Sequence, residues 1–90
     1  MPSRSPQAGK PQLAFGRAIR EVRQRQNLTQ EELAALAGWH GAEISSLESG
    51  RRNPTFQAMQ RISKALGVRL SEVLVLAEEI EEREAGPQAR

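Results

Sequence analysis

The sequence predicts an all-α fold, five short helices closing over one core. Three observations carry this. From Leu13 to Arg83 the apolar residues recur at spacings of three and four, with few β-branched runs and no alternation of strand length. Three of the helical stretches run into a glycine, at Gly38, Gly50 and Gly67, the residue that takes the left-handed conformation at least cost. The connections are short, about two to six residues each, as in compact helical domains. At 90 residues the chain makes one domain.

Residues 1–11 hold three prolines and no large apolar side chain after Met1, which predicts a disordered arm. The folded domain is expected over 12–84, with 85–90 as a second disordered tail. The first helix is expected from about Gln12 to Gln26, with Phe15, Ile19 and Val22 on one face and Arg17, Arg20 and Arg25 elsewhere. Asn27-Leu28 is a turn. Thr29-Gln30-Glu31-Glu32 is a capping box that opens the second helix. That helix is expected to bury Leu33, Leu36 and Ala37 and to stop at Gly38. The third runs from about Gly41 to Ser49 and buries Ile44 and Leu47. Pro54 disfavours helix at Asn53, so residues 51–54 form a loop. Thr55 caps a fourth helix carrying Met59, Ile62 and Leu66, and Ser71 is expected to cap a fifth.

Composition narrows the function. Apart from Met1, 21 large apolar side chains remain once the 12 alanines are set aside. They suffice for one core but not for a closed catalytic cleft. With no cysteine and a single histidine, His40, thiolate chemistry and His-rich metal sites are excluded, and no cofactor motif occurs. An enzyme is therefore not expected, nor a cofactor. Three aromatics cannot build a base-stacking sheet. The longest apolar run, Val73 to Ala77, is too short to span a membrane, and the N-terminus is unlike a signal peptide, so a cytoplasmic protein is expected. Charge is unevenly placed: residues 1–64 carry ten Lys/Arg against five Glu, residues 65–90 three Arg against six Glu. A basic body with an acidic tail suits a surface that meets phosphates, and equally a solvated face.

Helices two and three are joined by Gly38-Trp39-His40, a short connection of the helix-turn-helix kind. Around it stand Ile19-Arg20-Glu21-Val22-Arg23, Leu28-Thr29-Gln30-Glu31-Glu32-Leu33-Ala34, Ala37-Gly38, Ile44-Ser45-Ser46-Leu47-Glu48-Ser49-Gly50, Arg51-Arg52-Asn53-Pro54 and Ala65-Leu66-Gly67-Val68. In this order and spacing the runs closely resemble the phage-repressor, Cro-like helix-turn-helix family, also called the xenobiotic-response-element family. The resemblance covers roughly residues 15 to 75. It implies a compact, repressor-like five-helix domain that binds duplex DNA, commonly as a dimer, with the third helix in the major groove.

The resemblance also assigns residues. Gln30 stands where the family contacts a phosphate, at a helix N-terminus that offers free amides. Arg23 and Glu48 match a buried ion pair between helices one and three. Arg51, Arg52 and Asn53 match a loop that touches phosphates. On the third helix, inward Ile44 and Leu47 turn Ala42, Ser45, Ser46 and Ser49 outward. The family often carries Arg, Gln, Lys or Asn there, side chains that read base edges bidentately. Here Gly41 and Ala42 offer no hydrogen-bonding side chain, and Ser45 and Ser46 discriminate poorly. Glu43 could accept from a cytosine amino group but also repels phosphate. Trp39 is expected to fold back on the helix just ended, with contact to DNA or a partner as the other reading. His40 takes the cap position of helix three, either as an exposed neutral ring or as a phosphate contact.

The fifth helix is longer than the fold requires. Leu70, Leu74 and Ala77 are expected to pack on helices one and four. Leu76 and Ile80 would then face water, so Val73, Leu76 and Ile80 are expected to form a homodimer seam. The whole predicts a transcriptional regulator that binds double-stranded DNA as a homodimer. Gln30, Arg51 and Arg52 would hold the backbone, and Arg4 and Lys10 in the arm would add charge. The alternative is a protein-binding adapter or antitoxin-like partner, docking through the small-residue face of helix three or the stripe of helix five.

Overall fold

The computed structural model describes residues 10–85, which form five helices: α1 (Lys10–Arg25), α2 (Gln30–Ala37), α3 (Gly41–Glu48), α4 (Phe56–Leu66) and α5 (Leu70–Ala85). No strand occurs among the described residues. The expected arm and tail fall largely outside them, Arg4 included. The helical ends, however, reach further than the sequence suggested. Lys10 and Pro11 belong to α1, because a proline in the first turn costs no intrahelical hydrogen bond.

Caps set the boundaries. Thr29 Oγ1 accepts from Glu32 N–H at 3.0 Å and the Glu32 carboxylate accepts from Thr29 N–H at 2.8 Å, the full capping box. Thr55 Oγ1 accepts from Ala58 N–H at 3.0 Å at the head of α4. Ser71 does not cap α5. The helix starts at Leu70, so Ser71 is already its second residue, and the Glu72 carboxylate accepts from Arg69 N–H at 2.9 Å.

One core joins all five helices. Ala18, Ile19, Leu33, Ile44, Leu47 and Ile62 are fully enclosed, with Phe15, Val22, Leu66 and Val73 around them. Burying each large aliphatic chain contributes about 1.5–3 kcal/mol. Two expectations about burial fail. In α2 the inward residues are Leu33, Ala34 and Ala37, while Leu36 is 59% exposed. In α5 Ile80 is only 5% exposed and Val73 is enclosed, so neither is free to form a dimer seam. Leu76 is half-buried, and Leu74, expected inside, is 40% exposed. The end of α5 turns Ile80 against α1, where Arg17 pairs with Glu84 and Glu21 faces Arg83 at 3.9 Å.

The close approach of α1 to α3 depends on Gly16. A Cβ at this position would lie 2.1 Å from the Leu47 carbonyl oxygen and 2.9 Å from Glu48 Cα. Glycine inside a helix normally costs about 1 kcal/mol relative to alanine. Here the missing methyl lets two backbones touch. Gly16→Ala is therefore expected to reverse the usual sign and destabilise the domain by about 1–3 kcal/mol, the cost of overpacking. Urea unfolding of the variant against wild type measures it; a stabilised variant would contradict the contact.

Candidate nucleic-acid interface

The α2–turn–α3 unit is built by its turn. Gly38 sits at φ 74°, ψ 27°. Its N–H donates to Ala35 O at 3.3 Å and Trp39 N–H donates to Ala34 O at 2.8 Å. These two bonds satisfy the last carbonyls of α2 and swing the chain directly into α3. The Ala37 carbonyl accepts from Arg61 of α4 at 3.3 Å, a cation at a helix C-terminus. Trp39 packs against the core while remaining partly open, as expected of a residue folded back on the helix before it.

The orientation of α3 is fixed from beneath. Arg23 of α1 donates from Nε to Glu48 Oε2 at 2.7 Å and from its second terminal nitrogen to Glu48 Oε1 at 2.9 Å. Its first terminal nitrogen donates to Leu28 O at 2.8 Å. Both side chains are buried. The Glu48 bonds hold the guanidinium above its ordinary pKa, against the opposite push of burial. Gln30 Nε2 donates to Glu48 Oε1 at 3.0 Å, so the first residue of α2 joins the same pair. No local pattern announces that third partner, which stands 18 residues away in the chain. Gln30 remains partly exposed.

Above this support lies a low, open face. Ala42 and Ser49 are exposed, while Gly41, Ser45 and Ser46 are partly so. Ser49 Oγ donates to Ser46 O at 3.2 Å, within its own turn. His40 is exposed at the head of α3, and Arg51 and Asn53 are exposed beyond its end. The structure places Gln30 at the head of α2, His40 at the head of α3, Ala42, Ser45 and Ser46 along α3, and Ser49 and Arg51 past its end. Glu43 differs from expectation. Its Oε1 accepts from His40 N–H at 2.7 Å and its Oε2 lies 3.6 Å from Arg52. That backbone bond, aided by the Arg52 charge, lowers the Glu43 pKa from its ordinary value. The carboxylate is held by these two contacts at the surface, with 39% of its side chain open to solvent. Among the described residues no cluster of metal-ligating side chains occurs, and no helix is long and apolar enough to cross a membrane.

A buried, bidentate ion pair beneath a helix-turn-helix with an open third helix defines a class. The helix-turn-helix family matches residues 19–73, and the chain belongs to that family, of the Cro/C1 type. Among known proteins it is similar to the control protein C.BamHI of Bacillus amyloliquefaciens, at 40% identity over 63 residues, covering 69% of this chain and 78% of that one. Its fold is similar to the crystal structure of the clp gene regulator ClgR of Corynebacterium glutamicum, with a TM-score of 0.83 and 26% identity, covering 93% and 88% of the two chains. It is similar also to the restriction-modification controller protein C.AhdI of Aeromonas hydrophila, with a TM-score of 0.66 and 31% identity over 68% of this chain and 92% of that one. The protein is a helix-turn-helix transcriptional regulator.

The buried pair yields a sharp expectation. Arg23→Ala strands the Glu48 carboxylate and is expected to cost about 3–5 kcal/mol of stability. Arg25→Ala removes an exposed side chain whose partner, Glu21, lies 3.4 Å away one turn back, and should change stability by no more than about 0.5 kcal/mol. Thermal melts of both variants test the difference; equal melting points would show that Arg23 is not the anchor.

Proposed function

We propose that this protein binds duplex DNA as a homodimer, with α3 in the major groove and Gln30 and Arg51 on the phosphate backbone. The observation that carries the reading is the open face of α3, free of large side chains, held between the α2 N-terminus and an exposed arginine. Small residues let the helix axis lie close to base edges, with Ala42 suited to a thymine methyl. Gln30 and the free amides beside it suit a phosphate oxygen, and Asn53 and His40 lie within the same surface. A regulator of this kind acts where the DNA is, in the cytoplasm.

Support for a dimer comes from α5, where Val73 and Leu76 of the expected seam line a groove together with Val75, while Ile80 lies elsewhere. Val75 is 53% exposed. It lines a shallow apolar groove with Val22, Val68 and Leu76, which carries Arg25 on the α1 side and Glu72 and Glu79 on the α5 side. A two-fold axis through such a patch would bring apolar residues together and set Arg25 of one copy against glutamates of the other.

Two measurements test the proposal. Arg51→Ala should weaken binding to specific and random duplexes alike and flatten the slope of log affinity against log salt by about one unit. A loss confined to one preferred sequence would make Arg51 a base reader, and no binding to any duplex would favour the adapter reading. Val75→Glu should leave the helical content unchanged and sediment as a monomer, with duplex affinity reduced through loss of the linked second half-site. A folded Val75→Glu dimer would place the interface elsewhere.

A further inference from the structure

Arg51 and Arg52 are adjacent in sequence, but the fold uses them differently. Arg51 is exposed. The guanidinium carbon of Arg52 lies 4.7 Å from the centroid of the Trp39 ring. One of its terminal nitrogens is 3.6 Å from Glu43 Oε2, and only a third of the side chain is open to solvent. Trp39 and His40 are the two residues before α3; Arg52 lies just past its end. The Arg52 side chain therefore reaches back along the flank of α3 and ties the loop behind the helix to the turn in front of it. A guanidinium stacked on an indole face gains from the ring quadrupole, and its plane suits that stack where a lysine ammonium would not.

Glu43 gives this link its consequence. It is the one acidic side chain on the accessible side of α3, at the flank of the Ala42–Ser46 face. Unscreened, its charge would meet phosphates as α3 entered a groove. Two contacts hold it: the His40 amide on one oxygen and the Arg52 guanidinium near the other.

We propose that Arg52 is a positioning residue, stacked on Trp39 to hold and neutralise Glu43, and that Arg51 alone supplies the direct phosphate contact of this loop. The inference rests on the DNA-binding reading above. It separates two arginines that sequence and charge treat as equivalent, and it gives Trp39 a role in the interface without contact to DNA.

A double-mutant cycle tests it, read by binding to a labelled random-sequence duplex at low salt. Arg52→Ala should weaken binding about tenfold, because Glu43 is then bare. Glu43→Gln keeps an oxygen for the His40 amide and removes the charge, and should bind at least as well as wild type. In the Glu43→Gln background, Arg52→Ala should cost no more than about threefold, so the two effects do not add. A direct phosphate contact predicts the opposite: the same loss from Arg52→Ala whichever residue stands at 43. That result overturns the proposal. Trp39 is the sole tryptophan, so its emission in the free protein reports the stack directly. Arg52→Ala and Arg52→Lys should both shift it, with circular dichroism unchanged; unshifted emission also overturns the proposal. Wild type that binds no duplex overturns the DNA-binding reading itself. Wild type that binds, with additive losses, overturns only the role given to Arg52.

Discussion

The Arg23–Glu48 pair is the constraint on which the functional surface depends. α3 has only eight residues and buries two large side chains, Ile44 and Leu47. Two apolar anchors on so short a helix leave rotation about its axis weakly determined. The bidentate bonds from Arg23 remove that freedom, because two parallel contacts fix direction as well as distance. The same guanidinium holds the Leu28 carbonyl, and the same carboxylate holds Gln30. One buried pair thus sets α1, the first turn, the head of α2 and the tail of α3 in a single arrangement. Burial makes such a pair a poor source of net stability but a demanding one to break. Its contribution is a single orientation.

Gly16 and Gly38 complete that arrangement from two sides. At Gly16 the missing side chain lets α1 touch the backbone at Leu47 and Glu48, which puts Arg23 within reach of its partner. At Gly38 the left-handed backbone turns the chain sharply enough to lay α3 across α2. Among the described residues no buried side-chain nitrogen or oxygen lacks a hydrogen-bond partner, so the polar centre of the domain is complete rather than tolerated.

Much of this was legible in the sequence, and the gaps have physical causes. Local signals read well: the Thr29–Glu32 box, the Thr55 cap and the glycines that follow α2, α3 and α4 are contained in a few consecutive residues. Burial in α1 and α3 read well too, since one face of each is plainly apolar. Leu36 and Ile80 misled because a helical period defines a stripe but not which edge of it meets the neighbour. In α2 three alanines beside two leucines permit more than one inward face, and packing against α3 and α4 selects Leu33, Ala34 and Ala37. In α5 the surplus apolar residues looked unpartnered because no local pattern shows that α5 runs along α1, where Ile80 packs beside Arg17 and Glu21. Gly16 carried a signal that went unread, a glycine inside an otherwise strong helix. The contacts of Gln30 with Glu48 and of Arg52 with Trp39 join residues far apart in the chain or on opposite ends of a helix. No local pattern announces them.

The division of labour within α3 has an evolutionary side. Everything that holds the helix lies on its inner face, at its ends or along one flank: Ile44, Leu47 and Glu48 beneath, Glu43 and the His40 amide at the head. Among the described residues, the side chains of Ala42, Ser45, Ser46 and Ser49 form no hydrogen bond to another helix. Selection can therefore exchange these four residues while the scaffold stays constant. Under the proposed groove reading, a lineage built on this framework would drift between target sequences by single substitutions, each passing through a folded intermediate. The present alanine and serines stand close to the blank state from which such retargeting would begin.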